Sequence, residues 1–203
     1  MSSKGVLTVI SGFSGAGKGT VMKALLNKYD NYKLSISATT RNPRPGETDG
    51  KEYFFLTKDK FESMINQNGF AEWAKYVDNY YGTPRKYLEE QLDAGNDVIL
   101  EIEMQGALQV KEKYPDALLL FITPPSFDEL KKRLIGRGTE DEDTINKRLK
   151  RCHEETEFVH EYDYLVINDE VNKCVVKINE LIKNHHLKPV FNKELINEFK
   201  IEK

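Results

Sequence analysis

The chain predicts an α/β fold, a parallel sheet core with helices on both faces and two inserted segments. Three features predict it. Apolar, β-branched runs without alternation recur along the sequence, the signature of strands covered on both sides. Each run is followed by a segment with helical spacing. A glycine-rich turn joins the first run to its helix, the opening of a strand–helix–strand unit. At 203 residues the length fits one such domain with room for small subdomains.

The elements follow in order. Residues 6–10 form the first buried strand, and the helix after the turn carries Val21, Ala24, Leu25 and Tyr29 on one face. Residues 97–102, introduced by Gly95 and Asn96, form the next, then 117–122, then the shorter 164–167. Helices are predicted over 106–114, 126–136 and 171–183. The helix start at Ser126 is marked by Glu129 three residues on, a capping box, and by Pro124 and Pro125 upstream. Between Leu34 and Asp93 the pattern changes to short aromatic runs, 53–56 and 70–77, which read as antiparallel strands of an inserted subdomain. A charged segment over 137–160 interrupts the core and is helical, with Ile145, Leu149, Cys152, Thr156 and Val159 on one face. The expected organisation is one domain over 1–186, with core segments 1–33, 94–136 and 161–186, insertions 34–93 and 137–160, and a polar tail 187–203 ending in a short helix.

Composition bounds the function classes. Apolar residues make up 39% and charged residues 31%, with 30 Lys and Arg against 33 Asp and Glu for a net charge of −3. No global basic field exists, so neither nucleic acid nor a membrane surface is an expected partner, and positive charge must be concentrated locally. The two cysteines, Cys152 and Cys174, fit no metal spacing and suit a reducing compartment. Residues 6–10 are too few for a signal h-region, and 117–122, the longest apolar run, is far below a membrane span. The expectation is a soluble, cytosolic protein, monomer or homo-oligomer. His153, His160, His185 and His186 show no catalytic or metal spacing and read as surface residues.

The segment Gly12-Phe13-Ser14-Gly15-Ala16-Gly17-Lys18-Gly19-Thr20 fits Gly-x-x-x-x-Gly-Lys followed by Gly-Thr. Glycines let backbone N–H groups curl round phosphate oxygens at a helix N-terminus, and the lysine reaches the terminal phosphates as a point charge. Its place between a buried strand and a helix makes it a nucleotide site rather than an idle turn. The hydroxyl that faces a metal in such loops directly follows the lysine; here Gly19 stands there, with Thr20 one step later.

A second basic feature is Arg41 and Arg44 in a loop stiffened by Pro43 and Pro45. Guanidinium forks hold phosphate oxygens bidentately, and prolines reduce the entropy lost in fixing the loop. Taken alone, this loop reads equally as a solvated basic turn. Glu72 alone reads as a strand-surface carboxylate, and Tyr53 and Tyr81 as packing residues.

The ordered set decides between these readings. The phosphate loop is followed by Ser37-Ala38-Thr39-Thr40-Arg41-Asn42-Pro43-Arg44-Pro45-Gly46-Glu47, then Gly50-Lys51-Glu52-Tyr53-Phe54-Phe55, Glu72-Trp73-Ala74 and Asn79-Tyr80-Tyr81-Gly82-Thr83. Ile102-Glu103-Met104-Gln105-Gly106, Lys132-Arg133-Leu134, Gly136-Arg137-Gly138-Thr139 and Ile167-Asn168-Asp169 come after. In this order they resemble the guanylate kinase family, a group of nucleoside monophosphate kinases of the P-loop fold, over nearly the whole chain. The resemblance implies transfer of the γ-phosphoryl of ATP to GMP, with Mg2+. It implies that Arg41, Arg44, Tyr53 and Tyr81 hold the GMP phosphate and that Ser37, Glu72, Thr83 and Glu103 read the base. Guanine presents an N1–H beside an amino group, two donors one carboxylate accepts together, whereas adenine has an acceptor at N1.

The resemblance further makes 137–160 a mobile lid, with Arg133, Arg137 and Arg148 approaching the triphosphate and Asn168 near the adenine. It marks Lys18, Arg41, Arg137 and Arg148 as the catalytic set, and Thr20 and Glu101 as magnesium ligands, Glu101 through water. Family members often carry Asp where this chain has Glu101 and Glu103. Two rival readings share many of these motifs: a kinase for another monophosphate, and a phosphopeptide-binding scaffold. Scaffolds of that kind usually have an eroded phosphate loop, whereas Lys18 is present here.

Overall fold

The computed structural model describes residues 4–76, 78–136 and 141–200. Its core is a five-stranded parallel sheet. Strand β1 (Leu7–Gly12) leads through the glycine loop into helix α1 (Lys18–Lys28), and a short edge strand β2 (Tyr32–Leu34) follows. The chain then leaves the sheet for β3 (Ala38–Thr39), β4 (Phe54–Phe55), helix α2 (Lys58–Asn66), β5 (Phe70–Tyr76) and β6 (Asn79–Pro84). It returns through helix α3 (Arg85–Asp93) to β7 (Asp97–Glu101), α4 (Met104–Lys113), β8 (Leu118–Thr123) and α5 (Phe127–Gly136). Helix α6 (Glu142–Thr156), strand β9 (Tyr164–Ile167), α7 (Val171–His185) and a short α8 (Lys193–Glu198) complete it.

The core strands run in the order β2-β7-β1-β8-β9, all parallel. Alternate residues of the unpatterned apolar runs supply the two faces. Leu118, Leu120 and Ile122 of β8 pack with Ile10 against α1 and α7, through Val21, Leu25, Val175, Ile178 and Ile182. Leu119 and Phe121 pack with Val9 and Leu100 against α3 and α4, through Leu88, Leu92, Ala107 and Val110. Both helix layers are thus dictated by strands with no polar side.

The inserted segment folds as a second sheet, β4-β3-β6-β5. Strand β5 pairs antiparallel with β6 as expected, but β4 pairs parallel with β3, against the antiparallel expectation for 53–56. The β3–β4 connection is a long loop rather than a hairpin, which frees the strand direction. Helix α2 covers this sheet and is capped by Thr57, whose hydroxyl accepts from the Lys60 N–H at 3.3 Å. Phe61, fully buried, stacks on Phe70 at 4.2 Å and on Tyr80 at 5.3 Å between ring centroids.

Three local expectations need revision. Only half of the capping box on α5 forms: Ser126 accepts from the Glu129 N–H at 3.1 Å, while the Glu129 carboxylate turns to Arg133 at 2.9 Å. The charge-assisted pair outcompetes a bond to a backbone N–H. His185 is a core residue, 3% exposed, with Nε2 on the Asp116 carbonyl at 2.8 Å, and burial lowers its pKa. Val159 lies past the end of α6 in a separate single turn rather than on its face. Cys152 and Cys174 are free and buried, and burial pushes both thiols up to about 11. Among the described residues no helix is long and apolar enough to cross a membrane.

Phe61 is the keystone of the small core under the second sheet. Phe61→Ala should cost about 3–5 kcal/mol through lost burial and the cavity left behind. The shift of the urea unfolding midpoint measures this, and a loss below ~1 kcal/mol would show that the stack contributes little.

Candidate active site

The glycine loop is shaped by its backbone. Gly15 and Gly17 sit at φ 94° and 91°, in the left-handed region that side chains oppose, and Gly17 directly precedes α1. Phe13 points into the core, its ring edge-on to Phe121 at 4.8 Å, and so ties the loop to β8. From behind, the buried Asn168 donates Nδ2–H to the Ala16 carbonyl at 2.8 Å. Arg133 donates to the same carbonyl at 3.4 Å and to the Asn168 carbonyl at 3.0 Å. These bonds hold the Ala16 carbonyl while the Ala16 N–H donates to the Phe13 carbonyl at 3.0 Å, which fixes the curl of a loop of the kind that forms an anion nest. Lys18 arches over the loop, its ammonium donating to the Gly12 carbonyl at 2.6 Å.

Around this loop stand three further charged groups. Glu101 ends β7, beside β1 in register with Ile10. Crowding by protein raises its carboxyl pKa, Lys18 opposing the rise and Glu103 reinforcing it. Thr20 is exposed on the first turn of α1. Helix α6, capped by Asp141 accepting from the Thr144 N–H at 2.8 Å, brings two arginines over. Arg148 donates to the Ser14 hydroxyl at 2.7 Å. Arg151 bonds Glu103 at 3.0 Å and Glu155 at 3.0 Å. Arg137 lies outside the described residues.

The second sheet holds the other group. Arg41 forms a two-bond fork with Glu47, both at 2.9 Å, and lies over the Tyr53 ring at 5.4 Å. The fork raises the Arg41 pKa and lowers that of Glu47. Glu47 also accepts the Arg44 N–H at 2.7 Å, so one carboxylate sets both ends of the arginine loop. Tyr53 and Tyr81 meet edge to face at 6.2 Å. Ser37 directly precedes β3.

Glu72 is the exceptional carboxylate. It is 6% exposed, opposite Thr83 in the β5–β6 register, and accepts the Thr83 hydroxyl at 2.7 Å. Burial raises its pKa, the Thr83 bond and the charge of Lys113 pulling the other way. A buried carboxylate bonded by the hydroxyl and the backbone N–H of Thr83 keeps lone pairs for further donors.

The structure therefore brings Lys18, Ser14 and Arg148 together on one side, and Arg41, Tyr53 and Tyr81, with the Glu72–Thr83 pair, on the other. The sequence reading missed Glu47 and Arg151 as members of these networks, and Gln109, whose amide bonds the Trp73 backbone beside Glu72. Glu47 had a signal, an acidic residue closing an arginine loop. The others had none, a glutamine and an arginine on charged helices being common.

Comparison with known proteins gives one answer. The family model described as guanylate kinase matches residues 4–185. The chain is 52% identical over 195 residues to a guanylate kinase of Caldanaerobacter subterraneus subsp. tengcongensis, covering 96% of this chain and 95% of that one. It is 54% identical over 182 residues to a guanylate kinase of Clostridium acetobutylicum, covering 90% and 87%. The crystal structure of guanylate kinase from Anaplasma phagocytophilum superposes with a TM-score of 0.74 at 31% identity, covering 99% of this chain and 98% of that one.

The raised Glu72 pKa fixes the sign of a stability effect. A carboxyl protonated more readily when folded contributes stability that is complete at acid pH and lost as pH rises through the folded pKa. Glu72→Gln, which mimics the protonated form, should therefore raise the melting temperature of the ligand-free protein at pH 7–8. The gain should fade toward the ordinary carboxylate range, near pH 4. A gain of equal size at both pH values would contradict a charged buried Glu72.

Proposed function

The chain belongs to the guanylate kinase family, and on that premise we propose how its residues bring two nucleotides together. The protein is an ATP:GMP phosphotransferase, giving ADP and GDP. ATP takes the glycine loop, its phosphates in the nest of N–H groups from Gly12 to Thr20, with Lys18 moving from its loop carbonyls onto the terminal phosphates. GMP takes the second sheet. Arg41, Arg44, Tyr53 and Tyr81 hold its phosphate, and Ser37, Glu72, Thr83 and Glu103 read its base.

The observation that carries this reading is the buried Glu72 carboxylate, oriented by Thr83 at 2.7 Å. Guanine's N1–H and amino group supply the two donors it lacks. Adenine would set a lone pair against it, at a cost of roughly 1–3 kcal/mol for the lost base contact alone. The uncompensated buried charge adds to that cost.

No general base is required. The second pKa of a phosphate monoester is about 6, so the attacking oxygen of GMP is already ionised at neutral pH. The difficulty is repulsion between two polyanions. Lys18 and Arg148 from the donor side, and Arg41 and Arg44 from the acceptor side, neutralise it and stabilise charge on the transferring group. Arg137 would join them from the segment before α6. The hydroxyl of Thr20 and the carboxylate of Glu101 are hard oxygen donors of the kind Mg2+ takes alongside substrate phosphates and water. They are the residues that would hold it. When bound, the ion would supply charge neutralisation to the transferring phosphates. Asn168, behind the loop, would lie near the adenine of ATP, and Arg133 would turn from the Ala16 and Asn168 carbonyls toward the triphosphate. Closure of 137–160 excludes water, which would otherwise compete as acceptor.

The direct test is an ADP-release assay with ATP, magnesium and each of GMP, AMP, UMP and dTMP. GMP should be the preferred acceptor, and no turnover with GMP would overturn the assignment. Lys18→Ala should lower kcat by at least ~100-fold, the scale of losing one preorganised electrostatic group. Near-native kcat in that variant would remove Lys18 from the transfer step.

A further inference from the structure

Strand β5 is the outer strand of the second sheet, so one side of its backbone has no strand neighbour. A side chain takes that place. The Trp73 N–H donates to Gln109 Oε1 at 3.1 Å, and Gln109 Nε2 donates to the Trp73 carbonyl at 2.9 Å. The primary amide thus pairs with one residue as an adjacent strand would, although it projects from helix α4 of the core. Trp73 is the residue after Glu72, and fixing its backbone fixes the height from which the Glu72 side chain reaches.

The same helix face touches Glu72 directly. One turn before Gln109 stands Gly106, where a Cβ would lie 2.8 Å from Glu72 Oε2 and 3.3 Å from its Cδ. One turn beyond Gln109, Lys113 donates to the Phe70 carbonyl at 3.0 Å. Glu103, Gly106, Gln109 and Lys113 follow one another at three- and four-residue spacing, the stripe a helix presents to one neighbour. Helix α4 is therefore fastened to β5 at two points, leaves a methyl-sized gap for the carboxylate one turn before the first of them, and begins directly after Glu103.

We propose that Gln109 and Gly106 are positioning residues for guanine recognition: the amide clamp on Trp73 and the bare Cα of residue 106 set where the Glu72 carboxylate meets the base. This rests on the reading of Glu72 as the acceptor of guanine's two donors. The competing role is plain stitching of the second sheet to the core, which would carry stability without selectivity.

The test uses the intact protein and two acceptors, GMP and the hypoxanthine monophosphate, which lacks the 2-amino group. Gln109→Leu keeps nearly the same volume and removes both bonds. Gly106→Ala introduces a residue helices favour yet crowds the carboxylate and Ile102, and its melting temperature reports any loss of packing. Both should raise the KM for GMP roughly 10-fold or more, because small misplacements of a binding group are costly. Both should leave kcat and the KM for ATP within about 2-fold, as expected for a loss confined to acceptor binding. Both should reduce the preference for GMP over the hypoxanthine nucleotide toward that of Glu72→Gln. A lowered melting temperature with native preference would overturn the proposal in favour of stitching. Native preference in Glu72→Gln itself would remove the reading beneath it, whereas altered preference there with native preference in the other two variants would sink this inference alone.

Discussion

The parallel pairing of β1 between β7 and β8 is the constraint on which the rest of the molecule depends. In a parallel sheet every strand ends at the same edge, so the loops that leave these strands are gathered there without further instruction. Register makes this concrete: Ile10 lies beside Glu101, and Gly12 beside Ile122. The glycine loop, the carboxylate of Glu101 and, one strand further, Asn168 after β9 therefore share one edge. Burying β1 on both faces removes any freedom to slip, because each of its core residues has a helix layer to satisfy. The loop's geometry is the sheet's geometry, transmitted through Phe13 on one side and the Ala16 carbonyl on the other.

The second sheet solves a different problem. It keeps a carboxylate out of water, and on the proposed reading that loss of hydration would become selectivity. Glu72 is desolvated by β5, β6 and α4, and its raised pKa records the cost. A small sheet is a weak platform for such a cost, and the stacked Phe61, Phe70 and Tyr80 beneath it supply the compensating burial. The arginine loop is handled oppositely. Arg41 and Glu47 neutralise one another in a planar fork, which keeps the loop in shape without burying an unpaired charge. On the proposed reading an arriving phosphate would meet a cation already oriented, and would compete for it with the Glu47 carboxylate and the Asn42 carbonyl.

How much of this was legible in the sequence follows from the range of the interactions involved. The core strands were readable because two-sided burial erases alternation locally, and the glycine loop because its backbone demands are local too. Strands β2, β3 and β6 were hard to see. They are two to six residues long, and their pairing is decided by partners distant in the chain. The direction of β4 was misread since nothing in Phe54 and Phe55 encodes whether a neighbour runs parallel. His185 was taken for a surface residue because its partner, the Asp116 carbonyl, is 69 residues away. At the site, ordered motifs singled out Arg41, Tyr53 and Glu72 as candidates, while nothing singled out Gln109 and Arg151. What distinguishes those two is which backbone or carboxylate they reach, and that is a product of packing.

The reach of side chains also explains how helix α6 is tied to both halves of the site. Arg148 ends on Ser14 of the glycine loop, and Arg151, one turn later, ends on Glu103 at the start of α4. The Glu103 carboxylate spans that gap at 3.0 Å, whereas an aspartate would fall short by about 1.5 Å, one carbon–carbon bond. With Glu155 as a second partner for Arg151, the helix carries its own counter-charge, so its attachment to Glu103 is one contact among several rather than a lock. Exposed ion pairs of this kind contribute little stability, about 0–1 kcal/mol. On the proposed reading that weakness would suit α6, since a tighter pair between Arg151 and Glu103 would restrain the helix that carries Arg148 toward the phosphates.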